Sequence, residues 1–423
     1  MRFSPGNIGS FFASAVAAQV AAAMSGLLLV RWMTVEDYAL YTIAVTILGA
    51  ITLLTRGGVR QGLAAVLAKV WPSRTAAAEA VDAALRVRLA VSALTMPPIL
   101  GLAWLMLHRA GAPTHLNLAC LALLAVIWLA DTYGAVIDQV LFFDRKAVRV
   151  QALDSVSAWL RLALIFMLRV AGAVSMLTAL VTSLVQSAIK VPFVRRWIAE
   201  TLRQDRRRAP DATVHAVRAV AFRQIPVDVF VVLQAQATIF YLTWRGSNIE
   251  LATFGALSRI AQLLVPFNAM VLAYLVPRFA KVSEGVGLQI AGYVLIGAVP
   301  GLGLLAVALV SPQALLFFIG PAYADQVWAL RVCAGMVAFT SAVEIALALV
   351  SHRGWNHRGL VRIVFGLVWI AAAPGFVPVH TAAGGFILVC GYSVGTLVSV
   401  LLELRAAQRR GEIRLGQAIH QGG

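Results

Sequence analysis

The chain has 423 residues, of which 61% are hydrophobic and only 13% charged, and its mean hydropathy is +0.85. Soluble domains are about half apolar and about a quarter charged, so this composition excludes an ordinary soluble enzyme and points to lipid as the solvent. The formal charge of +17, from 35 Lys+Arg against 18 Asp+Glu, would suggest nucleic acid in a soluble protein, but here the basic residues lie between apolar runs. Retention of positive charge on one side of a membrane is the better reading, and no nucleic-acid partner is expected.

A helix needs roughly 20 mostly apolar residues to cross hydrocarbon. Such runs recur along the chain as Ile8–Val30, Tyr38–Leu54, Leu89–Leu107, Leu116–Phe143, Val150–Leu168 and Val174–Phe193, then Ile225–Trp244, Leu251–Val276, Leu288–Val310, Val327–Val350, Val361–Val377 and Ala382–Leu402. The first run follows Arg2 in the manner of a secretory signal, but it outlasts a signal's apolar core and is expected to stay as a helix. The run Gln61–Val81 extends the second span or lies in the interface. The expected fold is therefore all-α, with about twelve transmembrane helices.

Charge placement tests the parse independently. With the N-terminus inside, 28 Lys and Arg fall in cytoplasmic segments and four (Arg31, Arg109, Arg169 and Arg245) in outside loops. The positive-inside rule produces this asymmetry, and a missed or invented helix would scramble it. Both termini are thus expected in the cytoplasm. The basic stretch Arg195–Arg223, with Arg206-Arg207-Arg208 and Pro210, follows the sixth span. It divides the chain into a six-helix bundle at 1–197, a cytoplasmic linker at 198–218 and a second six-helix bundle at 219–423, the organisation of many transporters.

Three segments carry a resemblance. The first is Leu29-Val30-Arg31-Trp32-Met33-Thr34-Val35-Glu36-Asp37-Tyr38-Ala39-Leu40-Tyr41, followed by an apolar helix and Gly57-Gly58. The second is Phe254-Gly255-Ala256-Leu257-Ser258-Arg259-Ile260, running on to Pro266 and Val276-Pro277-Arg278. The third is Phe318-Ile319-Gly320-Pro321-Ala322-Tyr323. Together with the paired six-helix pattern, these resemble the Wzx-like O-antigen and exopolysaccharide flippases of the multidrug/oligosaccharidyl-lipid/polysaccharide (MOP) exporter superfamily.

That resemblance implies a multi-pass protein of the bacterial inner membrane whose substrate is a polyprenyl-diphosphate-linked oligosaccharide. It implies two bundles around a central cavity, membrane lipids as surroundings, and a polysaccharide polymerase with its chain-length machinery as partners. No cofactor and no metal is expected.

Charge inside hydrocarbon costs about 2.5–3.5 kcal/mol at a helix centre, so each buried charge needs a partner or a wet cavity. Arg259 and Gln262 share a face of the eighth span, and Arg161 shares a face of the fifth with Asp154. A guanidinium fork suits a diphosphate, so Arg259, Arg161 and Gln262 are candidate substrate-binding residues. The structural alternative pairs Asp154 with Arg161 and Arg259 with Asp228. Asp131, Asp138, Asp154, Asp228 and Glu344 are candidates for ion coupling or for counter-charges.

Enzyme signals are poor: neither a Gly-Lys-Ser/Thr phosphate loop nor a His-Glu-x-x-His zinc motif occurs. Gly301-Leu302-Gly303-Leu304-Leu305-Ala306 lies in an apolar span with no preceding strand and reads as helix packing. Cys120, Cys333 and Cys390 are scattered through apolar stretches and read as packing residues. His352 and His357 flank Trp355 in a basic loop and read as solvated. Two other functions stay open: an ion-coupled small-molecule exporter of the same superfamily, and a membrane-bound glycan polymerase or transferase.

The topology is checked by cysteine labelling. In intact cells Gln204→Cys should resist an impermeant thiol reagent and Ser247→Cys should react; the reverse pattern overturns the parse.

Overall fold

The computed structural model describes residues 5–134, 138–202, 208–265, 267–268, 271, 279, 286–353, 355 and 359–411. Pro266, Val276-Pro277-Arg278, Arg206, Arg207 and His357, all named in the sequence reading, lie outside them. Among the described residues every α or β element is a helix. In chain order these are α1 (Pro5–Trp32), α2 (Val35–Val70), α3 (Arg74–Arg109), α4 (Thr114–Gly134), α5 (Asp138–Phe143), α6 (Ala147–Val170), α7 (Met176–Ala188), α8 (Lys190–Leu202) and α9 (Asp211–Arg245). There follow α10 (Asn248–Gln262), α11 (Val286–Val310), α12 (Pro312–Ile319), α13 (Val327–His352), α14 (Gly359–Ala372) and α15 (Ala382–Arg409).

Nine helices among the described residues are long and apolar enough to cross a bilayer. Three further expected spans fall on α6, α10 and α14. The first of these carries Arg149, Asp154, Arg161 and Arg169, the second is a 15-residue helix ending at Gln262, and the third is a shorter apolar helix. The chain is a multi-pass membrane protein.

The largest departure from the expected spans lies at 55–88. The sequence reading ends the second span at Leu54 and starts the third at Leu89, with Gln61–Val81 either extending the second span or lying in the interface. The helix does continue past Leu54: α2 and α3 are each 36 residues long and meet at a turn around Trp71 and Pro72. At 1.5 Å per residue each is about 54 Å long, well beyond a hydrocarbon core of about 30 Å. Alanine explains the continuity: Ala76–Leu85 is alanine-rich, and Ser73 caps the helix by accepting from the Ala76 amide at 3.4 Å. Thr34 caps α2 in the same way, accepting from the Asp37 amide at 3.2 Å. The fourth expected span is helical in its described residues, as α4 and α5 on either side of 135–137.

The chain forms two compact units, Met1–Trp244 and Arg245–Gly423. In the first, α1 packs on α6, α2 on α3, and α4 on α7. In the second, α13 is central, packing on α11 and α15, while α14 lies against α15. The sequence division assigns the seventh span to the second bundle; α9 belongs to the first unit and lies along α2.

In lipid, helices gain little from burying apolar groups against one another, so close backbone approach and internal hydrogen bonds hold them together. Gly58 and Gly62 illustrate the first: a Cβ at either would lie 2.6 Å from the carbonyl oxygen of Ala221 or Val217 on α9. Side-chain hydroxyls illustrate the second. Thr42, Thr46, Thr55 and Thr132 all return their protons to carbonyls one turn earlier in their own helices.

Gly58→Ala tests the α2–α9 contact. The new methyl meets backbone that cannot yield, so it should destabilise the protein by about 1–3 kcal/mol, read as a lower unfolding temperature in detergent. Gly49, also within α2, has open space around it, and Gly49→Ala should hold or gain up to about 1 kcal/mol through helix propensity. Equal effects at the two positions would refute the packing account.

Candidate functional site

Five of the eight candidate residues lie in the first unit. Arg161, half-buried on α6, donates to the Tyr41 hydroxyl at 2.8 Å. Tyr41 and Tyr38, the two tyrosines of the first resemblance segment, are both buried on α2, with ring centroids 5.9 Å apart. Asp154, on the same helix, takes Lys190 Nζ at 2.7 Å. The two residues that the sequence paired are therefore engaged elsewhere, and Arg161 has a neutral partner.

Asp131 and Asp138 are counter-charges to arginines that the sequence reading left in a loop. Arg88 has no exposed side-chain surface. Its guanidinium lies 3.5 Å from Asp131 Oδ2 and donates to the carbonyls of Asp131 and Thr132 at 3.4 and 3.1 Å. These carbonyls on α4 give the guanidinium further acceptors beside the carboxylate. Arg56 meets Asp138 of α5 at 3.6 Å. Gln139 accepts from Arg60 when its amide oxygen faces the guanidinium.

Asp228 is buried on α9 and accepts from Gln224 at 3.1 Å. Gly57 of α2 faces it so closely that a Cβ there would lie 2.5 Å from Oδ2. Asp138 Oδ1 and Asp228 Oδ2 have no hydrogen-bond partner among the described residues.

The other three candidates lie in the second unit. Arg259 donates to Gln262 Oε1 at 2.9 Å, one turn along α10. Their shared helical face, read from an i, i+3 spacing, is realised as this contact. Glu344 is exposed on α13, one turn beyond Ser341 and Thr340. Ser341 accepts from Asn268 Nδ2 at 3.0 Å. Among the described residues, no three His, Cys, Asp or Glu side chains are gathered to hold a metal.

Outside the spans, Asp144 gathers Arg74 at 3.1 Å, Lys146 at 2.8 Å and the Thr201 hydroxyl at 2.9 Å. Burial works against its charged form, but the hydrogen bonds from Lys146, Thr201 and Arg74 prevail and hold its carboxyl below the usual value. Its contribution to stability is therefore present above the usual carboxylate range and lost as pH falls through the lowered value.

The sequence reading missed Arg56, Arg60, Arg88 and Lys190 as partners. Arg88 was recoverable: it follows a continuous alanine-rich helical run, so it had to lie within a long helix rather than at a span's edge. The approach of Lys190 to Asp154 spans 36 positions, and nothing local signals it.

No family model matches the chain, and no curated protein sequence matches it. Several solved structures do share its fold. A multidrug-resistance MATE-family transporter of the MOP superfamily, inward-facing, aligns with TM-score 0.70 and 14% identity over 93% of this chain and 96% of its own. The lipid II flippase MurJ, in an inward closed conformation, aligns with TM-score 0.71 and 11% identity over 94% of this chain and 87% of its own. A MATE structure in complex with MaD3S aligns with TM-score 0.61 and 15% identity over 97% and 100%. The chain has the fold of the MOP-superfamily transporters.

The Arg88 geometry makes a graded prediction. Arg88→Met takes the partner from a carboxylate and from two backbone carbonyls, and should cost about 3–5 kcal/mol. Asp131→Asn leaves the guanidinium its two carbonyl acceptors and should cost clearly less. Unfolding temperatures and yields of monodisperse protein in detergent measure both; a larger loss in Asp131→Asn would show that the ion pair, not the carbonyl contacts, dominates.

Proposed function

We propose that this protein is a transporter that carries a polyprenyl-diphosphate-linked oligosaccharide from the cytoplasmic to the outer leaflet of a bacterial inner membrane, for polysaccharide synthesis. The observation that carries the reading is Arg161. It is half-buried in a helix of the membrane-embedded fold, and its hydrogen bond goes to a neutral tyrosine rather than to a carboxylate. A guanidinium whose charge is not cancelled in a low-dielectric setting attracts a phosphate strongly, and its fork can engage two phosphate oxygens. Arg259, which donates to Gln262, supplies a second guanidinium fork.

The fold supports the same reading, because a lipid flippase and drug exporters both adopt it. The sequence resemblance to polysaccharide flippases narrows the cargo to a lipid-linked glycan. Alternating access between two bundles is the mechanism that goes with it. Each negative charge moved outward gains about 2.3 kcal/mol per 100 mV of inside-negative potential, so a diphosphate is helped by voltage without a dedicated ion site. A polysaccharide polymerase and its chain-length machinery would consume the product.

One observation favours a second reading, an ion-coupled small-molecule exporter. Glu344 is exposed near the middle of an apolar helix, and a carboxylate so placed can carry a proton or sodium ion. The two readings part on the arginines, since export of a cationic drug gains nothing from them.

Arg161→Ala and Arg259→Ala should each abolish glycan export while membrane levels of the protein stay near normal. Arg259→Lys should keep part of the activity, because charge survives though the bidentate fork does not. Tyr41→Phe removes the Arg161 partner but not its charge, and should reduce export less than Arg161→Ala. Surface glycan and membrane protein are measured together in each strain. Full export by either alanine variant at normal expression would sink the phosphate-binding role of that residue.

A further inference from the structure

The first unit has a strongly basic end that the transport reading does not use. Between Lys190 and Arg223 the sequence holds nine Lys and Arg against three acids, Glu200, Asp205 and Asp211. The structure shows how the described part of this segment is mounted. Val194, Thr201 and Leu202 turn α8 inward, and Lys146 Nζ donates to the Thr201 hydroxyl at 2.7 Å. The chain past α8 is tied down as well, because the Ala209 amide donates to Asp82 of α3 at 2.8 Å. Leu202, Ala209, Val217 and Ala221 then belong to one apolar cluster with Val59, Leu63 and Leu67 of α2 and Val81 and Val87 of α3. The end of α8 and the start of α9 are therefore fixed on the same support, and their outward faces are displayed together.

Those faces combine arginine with aromatic rings. On α8, Phe193 is 47% exposed and lies 6.3 Å from Trp197; Arg195 and Arg196 stand beside them, both exposed, with Arg196 also donating to Glu200 one turn on at 3.1 Å. On α9, opposite the Val217 and Ala221 face, Arg218 and Arg223 are exposed and Phe222 is 52% exposed. The Arg218 guanidinium lies 5.9 Å from the Phe222 ring centroid. A face of this kind suits a bilayer interface: rings enter the acyl boundary while long basic side chains reach the headgroups. A purely aqueous surface gives no reason to expose Phe193 and Phe222, and a hydrocarbon-facing one gives no reason to place four arginines beside them.

We infer that the outward faces of α8 and the first half of α9 form a binding surface for anionic phospholipid headgroups of the surrounding bilayer. Charge complementarity selects the occupant: the segment's charge is strongly positive, and phosphatidylglycerol carries a net negative charge that phosphatidylcholine lacks. The surface acts on the lipid environment rather than on the cargo, so it stands apart from Arg161 and Arg259.

The test uses the full chain in nanodiscs of phosphatidylcholine with a minor fraction of phosphatidylglycerol, and counts the lipids retained on the protein by native mass spectrometry. Each arginine near an anionic surface strengthens binding by about fivefold at low salt, so the wild type should hold phosphatidylglycerol at several times its bulk share. The variant Arg195→Gln/Arg196→Gln/Arg218→Gln/Arg223→Gln should fall to nearly the bulk ratio. Its unfolding temperature in zwitterionic detergent should stay within a few degrees of wild type, which separates lost binding from lost fold. Milder pairs, Arg195→Gln/Arg196→Gln and Arg218→Gln/Arg223→Gln, should give intermediate retention and serve if the quadruple variant does not fold. Arg161→Ala and Arg259→Ala should keep the full preference, so failure of the cargo reading and failure of this one are distinguishable. No preference in the wild type, or a preference surviving in the folded substituted variants, overturns the inference; so does an acidic protein that occupies this face in place of lipid.

Discussion

A wholly buried arginine organises the first unit. Arg88 has none of its side chain exposed, and a charge in that position is stable only if its surroundings are built to receive it. The receiving groups are the Asp131 carboxylate and the carbonyls of Asp131 and Thr132 on α4. The guanidinium thus meets backbone acceptors and a counter-charge together. Arg56 and Asp138 repeat the ion pairing between α2 and α5. These pairs tie α3 to α4 and α2 to α5, so ion pairs as well as apolar contact hold these helices together.

The rest of the packing obeys the same shortage of driving force. Lipid tails solvate leucine as well as another helix does, so contact must come from shape and hydrogen bonding. Gly58 and Gly62 bring the backbones of α2 and α9 together. In the second unit the start of α15 is fixed by a carboxylate, since Glu250 Oε2 accepts from the Ala382 amide at 2.6 Å and Thr381 accepts from the Gly384 amide at 3.0 Å. The cysteines fit this picture: Cys333 is buried, and its thiol points to the Leu257 carbonyl at 3.7 Å.

Against this background the basic residues divide into kinds. Arg88, Arg56, Arg74 and Lys190 meet carboxylates and hold helices together. Arg161 meets a tyrosine and keeps its field. Arg195, Arg196, Arg218 and Arg223 are exposed, Arg196 in an ion pair with Glu200 on α8. The same residue type therefore serves as a strut in one place and, in the readings proposed above, as an anion receptor or a membrane-surface contact in others.

Much of the fold was legible in the amino-acid sequence, because a membrane span is a local property: about twenty apolar residues and their flanking charges suffice to mark one. The twelve runs, the resemblance segments and the Arg259–Gln262 contact are all readable within a few turns of chain. What the sequence could not decide was which charges meet, since Asp154 has Arg161 on its own helical face yet bonds Lys190. Nor could it decide the partner of Arg88, for the alanine-rich run places that residue in a helix but Asp131 lies 43 positions away. Local pattern determined that the chain crosses the membrane many times. Tertiary structure decided which charges were neutralised, because a Coulomb interaction depends on distance in space and on the surrounding dielectric, neither of which is written in sequence spacing.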